Sequence, residues 1–314
     1  MNAEIETKFN TKYSDHTRGL RYAFGAALVS GFSIFLNKFA VDAISPPSVY
    51  TLMKNTLVLV PLLLVIFVSR KVKTIKSLSK KDILLLILIG IIGGGIPFYL
   101  FFNGLALVPS INSAILNKTI ILWVALFSWL ILKEKINKNM LAAVFILFIG
   151  NLLVGGFSGF ELSKGELLIL LSSVFWAFEY ILAQKILGHV EPDLTAIFRF
   201  GIGAIILLVL TLSEPKTASI KFGQSSILWL VLVSTLLFGY ISFLYRALKY
   251  ISAVTVASVL VSSTLITNVL SAVFITHSLN TSVLIQSIVI FFGLGLTYYS
   301  FRDAKSRKFN YRNL

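Results

Sequence analysis

The chain lacks cysteine altogether, which excludes disulfides, cysteine-ligated iron–sulfur clusters and thiol chemistry. Histidine is almost as scarce. His16, His189 and His277 all fall in expected tails, loops or helix ends, so no deeply embedded imidazole remains for a zinc site or an acid–base dyad. Neither a GxxxxGK[ST] loop nor an HExxH helix occurs, which removes the usual nucleotide and zinc-protease motifs. No enzyme and no cofactor is expected. Charge is thin as well: 13% of the residues carry it, about half the share in an ordinary soluble domain. The stretch 250–301 has no Asp, Glu, Lys or Arg.

What fills the space is hydrophobic, at 57% of the 314 residues. Ten segments are each long enough to cross a hydrocarbon core about 30 Å thick: 21–41, 48–69, 83–104, 109–132, 139–157, 165–187, 194–212, 226–247, 253–276 and 282–301. The chain is therefore expected to be an all-α polytopic membrane protein. The opening MNAEIETKFNTKYSDHTRGLR is hydrophilic, so helix 1 is expected to act as its own insertion signal. Most of the 28 lysines and arginines fall on one side of this topology, and only Lys164, Lys216 and Lys221 fall in loops on the other. That bias places both termini in the cytoplasm of a multi-pass cell-membrane protein. It also explains the net charge of +15 without nucleic acid. The block RKVKTIKSLSKK at 70–81 reads as a topology signal and a contact for anionic lipid in the bilayer.

The sequence repeats itself. GLALVPSINSAILNKTIILWVALFSWLILKEKIN at 104–137 lies over ALKYISAVTVASVLVSSTLITNVLSAVFITHSLN at 247–280 with a constant offset of 143 and no gap. Leu105 meets Leu248, Leu122 meets Leu265, and the register continues to Gly150 and Gly293. Earlier in each half, Pro47 precedes Lys54 as Pro192 precedes Arg199, at an offset of 145. Five helices per half is an odd number, so the two repeats must cross the membrane in opposite senses. Inverted repeats of this kind are typical of secondary transporters, which bind substrate near the midplane where the repeats meet. The expected layout is a tail at 1–20, a first repeat at 21–157, a second at 165–301 and a tail at 302–314.

These segments resemble a known family. The basic residue in helices 2 and 7, and the GLALVPS and ALKYISA turns into helices 4 and 9, are similar to the EamA branch of the drug/metabolite transporter superfamily. SGFSIFLNK at 30–38 and SVFWAFEYILAQK at 173–185 resemble that family's first and sixth helices. The resemblance implies that helices 1, 3, 4, 6, 8 and 9 surround a cavity. It implies that helices 5 and 10 stay peripheral, where they often support a homodimer, and that the cargo is a small metabolite, frequently an amino acid. Lys54 stands where Arg is commoner, and Glu134 is mirrored by His277.

Intramembrane charges can be sorted by the repeat. Lys54 and Arg199 mirror one another, roughly 9 Å from the helix ends. They read either as gating or structural charges or as ligand contacts. Lys118 has no counterpart, since its mirror is Val261. It lies about 14 Å into helix 4, where a lysine costs on the order of 2.5–3.5 kcal/mol. Glu179, at similar depth in helix 6, is the candidate acid. The two either fasten helices 4 and 6 together or have a substrate or coupling proton competing for one of them. Lys38 and Asp42 share a face near the end of helix 1, a rim position.

GIIGGGIP at 90–97 suits close packing or a bend lining a cavity. Asn103, Asn117, Thr119, Ser262, Ser263 and Asn268 supply polar groups in helices 3, 4 and 9. Tyr99, Trp176 and Tyr240 could form an aromatic wall. The sequence thus points to a secondary transporter of a small metabolite, an amino acid first, working by alternating access. An organic-anion or phosphorylated-metabolite exchanger would instead use Lys118, Lys54 and Arg199 together. A lipid-handling or receptor-like role lacks appended domains to support it.

Overall fold

The structure is a computed structural model, and it describes residues 2–69, 78–108, 110–153, 159–214, 220–278 and 281–310. Ten helical spans cross in sequence order: α1 (Asn2–Asp42), α2 (Pro47–Val68), α3 (Lys80–Leu105), α4 in halves α4a (Ser110–Lys118) and α4b (Ile120–Ile131), and α5 (Lys138–Leu152). The second set is α6 (Lys164–Ile186), α7 (Pro192–Leu212), α8 (Ser226–Tyr250), α9 in halves α9a (Ala253–Leu260) and α9b (Ser263–Ser271), and α10 (Thr281–Asn310). Nine spans are long and apolar enough to cross a bilayer among the described residues, and α5 is the shorter tenth.

Local chemistry sets the starts. Pro47 and Pro192 open α2 and α7, positions where a missing N–H costs nothing. Ser79 with Asp82 and Ser163 with Glu166 form capping boxes that begin α3 and α6. Three limits differ from expectation. Helix α1 continues back to Asn2 and α10 runs on to Asn310, so most of the expected tails are helical. Helix α5 ends at Leu152, and 154–158 lie outside the described residues, as do 70–77 of the basic block.

The repeat is visible in the packing. Helix α1 packs on α8 and α9, and α6 packs on α3 and α4; α2 packs on α8, and α7 on α3. The pairs α2–α7, α4–α9 and α5–α10 map onto themselves. Exchanging the halves reproduces this pattern, as a pseudo-twofold axis requires.

Glycine contacts fix the register. A Cβ on Gly150 would meet Val289 at 3.0 Å and Ile290 at 3.3 Å, while one on Gly293 would meet Leu147 at 2.7 Å and Ile146 at 3.4 Å. Each contact becomes the other under the offset of 143. A Cβ on Gly19 would meet Ile251 at 2.6 Å and Tyr250 at 2.9 Å, and one on Gly165 would meet Val108 at 2.6 Å and Leu107 at 2.8 Å. Helix α1 therefore maps onto α6 with an offset of 146.

Helices α5 and α10 pair on the outside, touching otherwise mainly α4 and α9. They present Phe145, Ile149, Ile288 and Phe291 outward, as a lipid-facing surface should. Between α1 and α2, the two-residue strand β1 (Ile44–Ser45) pairs antiparallel with β2 (Lys221–Phe222), ahead of α8. This end is called the α1–α2 face below, and the opposite end the α6–α7 face.

Candidate functional site

Helices α4 and α9 are both broken, at mirrored positions. The Thr119 N–H bonds back to Leu116 O at 3.1 Å, and Leu122 N to Thr119 O at 2.9 Å. Under the offset of 143 these become Ser262 N to Val259 O at 3.0 Å and Leu265 N to Ser262 O at 3.1 Å. The hydroxyls of Thr119 and Ser262 donate to the same carbonyls, Leu116 O and Val259 O, each at 2.7 Å. A hydroxyl that competes for a helix carbonyl, with tight three-residue bonding, interrupts the α-helical ladder. Continuous helices were expected here. The hydroxyls of Thr119 and Ser262 sit at the two interruptions.

Lys118 ends α4a at the break. It is buried, and its Nζ donates to Ser263 Oγ at 2.8 Å, where α9b begins. The two candidate residues thus meet across the interface between repeats. Among the described residues no carboxylate lies within ion-pair distance of Lys118. Asn117 beside it is half-buried and makes no side-chain hydrogen bond among the described residues.

Glu179 does not join Lys118. Its carboxylate is fully buried near the α6–α7 face, 3.5 Å from Arg199 Nη1, and accepts the Tyr245 hydroxyl at 2.5 Å. The Tyr180 and Tyr240 hydroxyls bond to one another at 2.7 Å. Glu179 thus has a different cation from the one expected, because depth along a helix does not say which neighbour a side chain faces. Arg199 is the nearer base, about two turns into α7, which lies against α3 and α8.

Lys54 forms the corresponding centre near the α1–α2 face. Its Nζ lies 3.2 Å from Asn37 Oδ1 and 4.0 Å from the Phe102 ring centroid. An ammonium over an aromatic face is stabilised by the ring quadrupole. The Tyr50 hydroxyl donates to the same Asn37 oxygen. Asn37, Tyr50, Phe102, Tyr180 and Tyr245 were missed in the sequence. The offset of 143 already pairs Phe102 with Tyr245, two residues before the matched segment begins.

The glycines of α3 are packing surfaces. Residues Gly90–Gly95 form a π-helical turn. A Cβ on Gly93 would collide with Glu179 Cγ, and one on Gly94 would overlap Arg199 O. The widened turn also frees a carbonyl, and Trp176 Nε1 donates to Gly93 O at 3.1 Å. Trp176 stands edge-on to Phe98, with ring centroids 5.2 Å apart. Trp176→Phe, which deletes this donor and keeps much of the ring contact, is expected to cost about 1 kcal/mol. Thermal unfolding in micelles reads that loss.

The remaining candidates separate. Asn103 Nδ2 donates to Tyr99 O at 2.9 Å within its own helix, and its mirror Arg246 does the same to Ser242 O at 2.9 Å. Tyr99 faces Glu214, which also accepts the Ser48 hydroxyl at 2.8 Å. Tyr240 belongs with the Glu179 centre, whereas Trp176 packs on α3. The side chain of Lys38 lies outside the described residues. Among the described residues no cluster of His, Asp or Glu could hold a metal.

The profile of the EamA-like transporter family matches residues 17–156 and again residues 163–299. This chain belongs to the EamA-like transporter family. It is 31% identical over 206 residues to the "Uncharacterized transporter YyaM" of Bacillus subtilis, covering 62% of this chain and 67% of that one. An "Uncharacterized transporter" of Clostridium kluyveri is 24% identical over 249 residues, covering 76% and 79%. One solved crystal structure superposes with a TM-score of 0.75 over 91% of this chain and 98% of its own, at 18% identity, which shows a shared fold. The two family matches coincide with the two packing repeats of this EamA-like chain, and each contains one broken helix and one basic centre.

Proposed function

We propose that this EamA-like membrane transporter moves a small carboxylate-bearing metabolite by alternating access, with Lys118 as the substrate contact. The carrying observation is the position of Lys118: a buried cation at the break of α4a, facing the start of α9b, with one hydroxyl partner and no acid among the described residues. Interrupted helices meeting at mid-depth are where transporters coordinate cargo. A carboxylate would give the ammonium a charge-assisted partner that Ser263 cannot.

Glu179 supports a different role from the one expected of it. It is engaged by Arg199 and Tyr245, which leaves no free acid there for the ammonium group of an amino acid. An organic anion therefore fits better than a zwitterion. An amino acid stays within the class through its carboxylate, with Asn117 and Trp176 as the contacts to test. In this reading the α6–α7 face is cytoplasmic, as are both termini.

Uptake into proteoliposomes from a panel of small carboxylates and amino acids tests the proposal. For whichever substrate moves, Lys118→Ala is expected to lower uptake by about tenfold or more, with Lys118→Arg retaining part of it. Unchanged uptake by Lys118→Ala would overturn the assignment.

A further inference from the structure

Lys54 is a second buried cation without an acid. It is 3% exposed, and among the described residues no carboxylate lies within ion-pair distance of its Nζ. Its polar partner, Asn37 Oδ1, also serves the Tyr50 hydroxyl. The Asn37 Nδ2 is already committed to Ser33, at 2.6 Å to its carbonyl and 3.0 Å to its hydroxyl. Around the ammonium stand Phe102, Tyr50 and Phe98, with centroids at 4.0, 5.0 and 5.6 Å. Rings stabilise the charge but do not neutralise it.

Symmetry identifies the missing part. The offset of 145 carries Lys54 onto Arg199, and the offset of 143 carries Phe102 onto Tyr245. The offset of 146, set by Gly19 and Gly165, carries Ser33 onto Glu179. The centre near the α6–α7 face is a base, a ring and an acid. Its counterpart near the α1–α2 face has the base and the ring, with a serine in place of the acid. Beyond Cβ, a glutamate side chain is a CH2 bearing a carboxylate, which is acetate in size and charge.

We infer that the Lys54 centre is an anion station completed by a small carboxylate from solution, which takes the place that the Glu179 side chain fills in the other repeat. Ser33 and Asn37 border it and are only half-buried, so the station is not sealed by its own side chains. The Lys118 contact near mid-depth is a separate site. The station is therefore a second stop for the same chemical class, close to the α1–α2 mouth.

Acetate is the probe, with chloride at equal ionic strength as the comparison that separates a carboxylate from any small anion. The full chain in detergent micelles is titrated while its thermal unfolding midpoint is followed, which rises when a ligand binds the folded state. In a Lys118→Ala background, acetate is expected to raise the midpoint and chloride to leave it unmoved. Adding Lys54→Met should weaken the apparent acetate affinity on the order of thirtyfold or more.

Adding Asn37→Asp instead builds a carboxylate at the atom now 3.2 Å from Nζ. That variant should unfold at a higher temperature without acetate and no longer respond to it. It also decides the matter if Lys54→Met fails to fold. An acetate response that survives Asn37→Asp, or none at all in the Lys118→Ala background, overturns the station and leaves the Lys118 proposal standing. An equal response to chloride overturns the carboxylate assignment. Conversely, full transport by Lys118→Ala with the Lys54-dependent shift intact would sink the transport site and keep the station.

Discussion

Glu179→Ala is expected to destabilise the folded chain by about 3–5 kcal/mol, because it leaves the Arg199 guanidinium buried and unpaired. Arg199 is 3% exposed, and its Nε has no hydrogen-bond partner among the described residues. Once the acid is gone, the arginine is left with the Tyr245 hydroxyl and the rings of Phe98, Phe200 and Tyr245, with centroids 5.7–5.9 Å away, and with no anion. Three flat faces at that range do not replace a carboxylate. Removing both partners together, in Glu179→Leu with Arg199→Met, should recover much of the loss, since an apolar pair of similar volume is often as stable as a buried ion pair.

Tyr245→Phe provides the graded control. It deletes one hydrogen bond to a charged acceptor and should cost about 1.5–3 kcal/mol. Unfolding midpoints of the four proteins in one detergent check the set. If the double variant proves less stable than Glu179→Ala, the two side chains do not act as a pair.

Gly94→Ala is the second large effect, and it is steric. The added methyl would overlap Arg199 O, and Gly203 of α7 packs so near the Gly94 backbone that a Cβ built on it would fall 2.5 Å from Gly94 C. Both obstructions are main chain held in helices, so neither can turn aside as a side chain could. Overpacking of this kind costs about 1–3 kcal/mol in an ordinary core, and occasionally more. A loss at or above the top of that range is expected here.

Gly201, on the same helix α7, has nothing within 4 Å of the place an added methyl would occupy. Gly201→Ala should therefore be neutral or gain up to about 1 kcal/mol from helix propensity. A Gly94→Ala protein as stable as Gly201→Ala would show that α3 and α7 do not meet at this point.

Much of the architecture was legible because the bilayer enforces it. Long uncharged runs follow from the cost of polar groups in hydrocarbon, and with the repeat at an offset of 143 they lead to ten spans in two halves. Lys118 stood out in the sequence because Val261 opposite it removes an architectural reason for the charge. Its contact with Ser263 joins two residues that the sequence had nominated separately.

What stayed hidden was azimuth. Composition and depth say how far along its helix Glu179 sits but not which way it points, and its partner proved to be Arg199, from the mirrored pair. The breaks in α4 and α9 were hidden for another reason. Threonine and serine are common inside membrane helices, and only the local bonding shows that Thr119 and Ser262 each divert a carbonyl. The π-turn of α3 was half visible: the glycines announced a close approach, but the neighbour they admit is fixed by the fold.

The broken helices carry a mechanical consequence. An unbroken rod through the membrane must tilt as a whole, so closing one mouth with it opens the other by the same motion. A rod jointed at mid-depth has two arms. The arm α4b, of 12 residues, is a lever about 18 Å long. A swing of about 20° at the Thr119 joint would move its far tip by about 6 Å, on the scale of a small carboxylate, while α4a and Lys118 hold still. In the proposed alternating access, a matching joint at Ser262 in α9 would give the bundle a second hinged helix, with the proposed Lys118 contact at the pivot rather than on the moving ends.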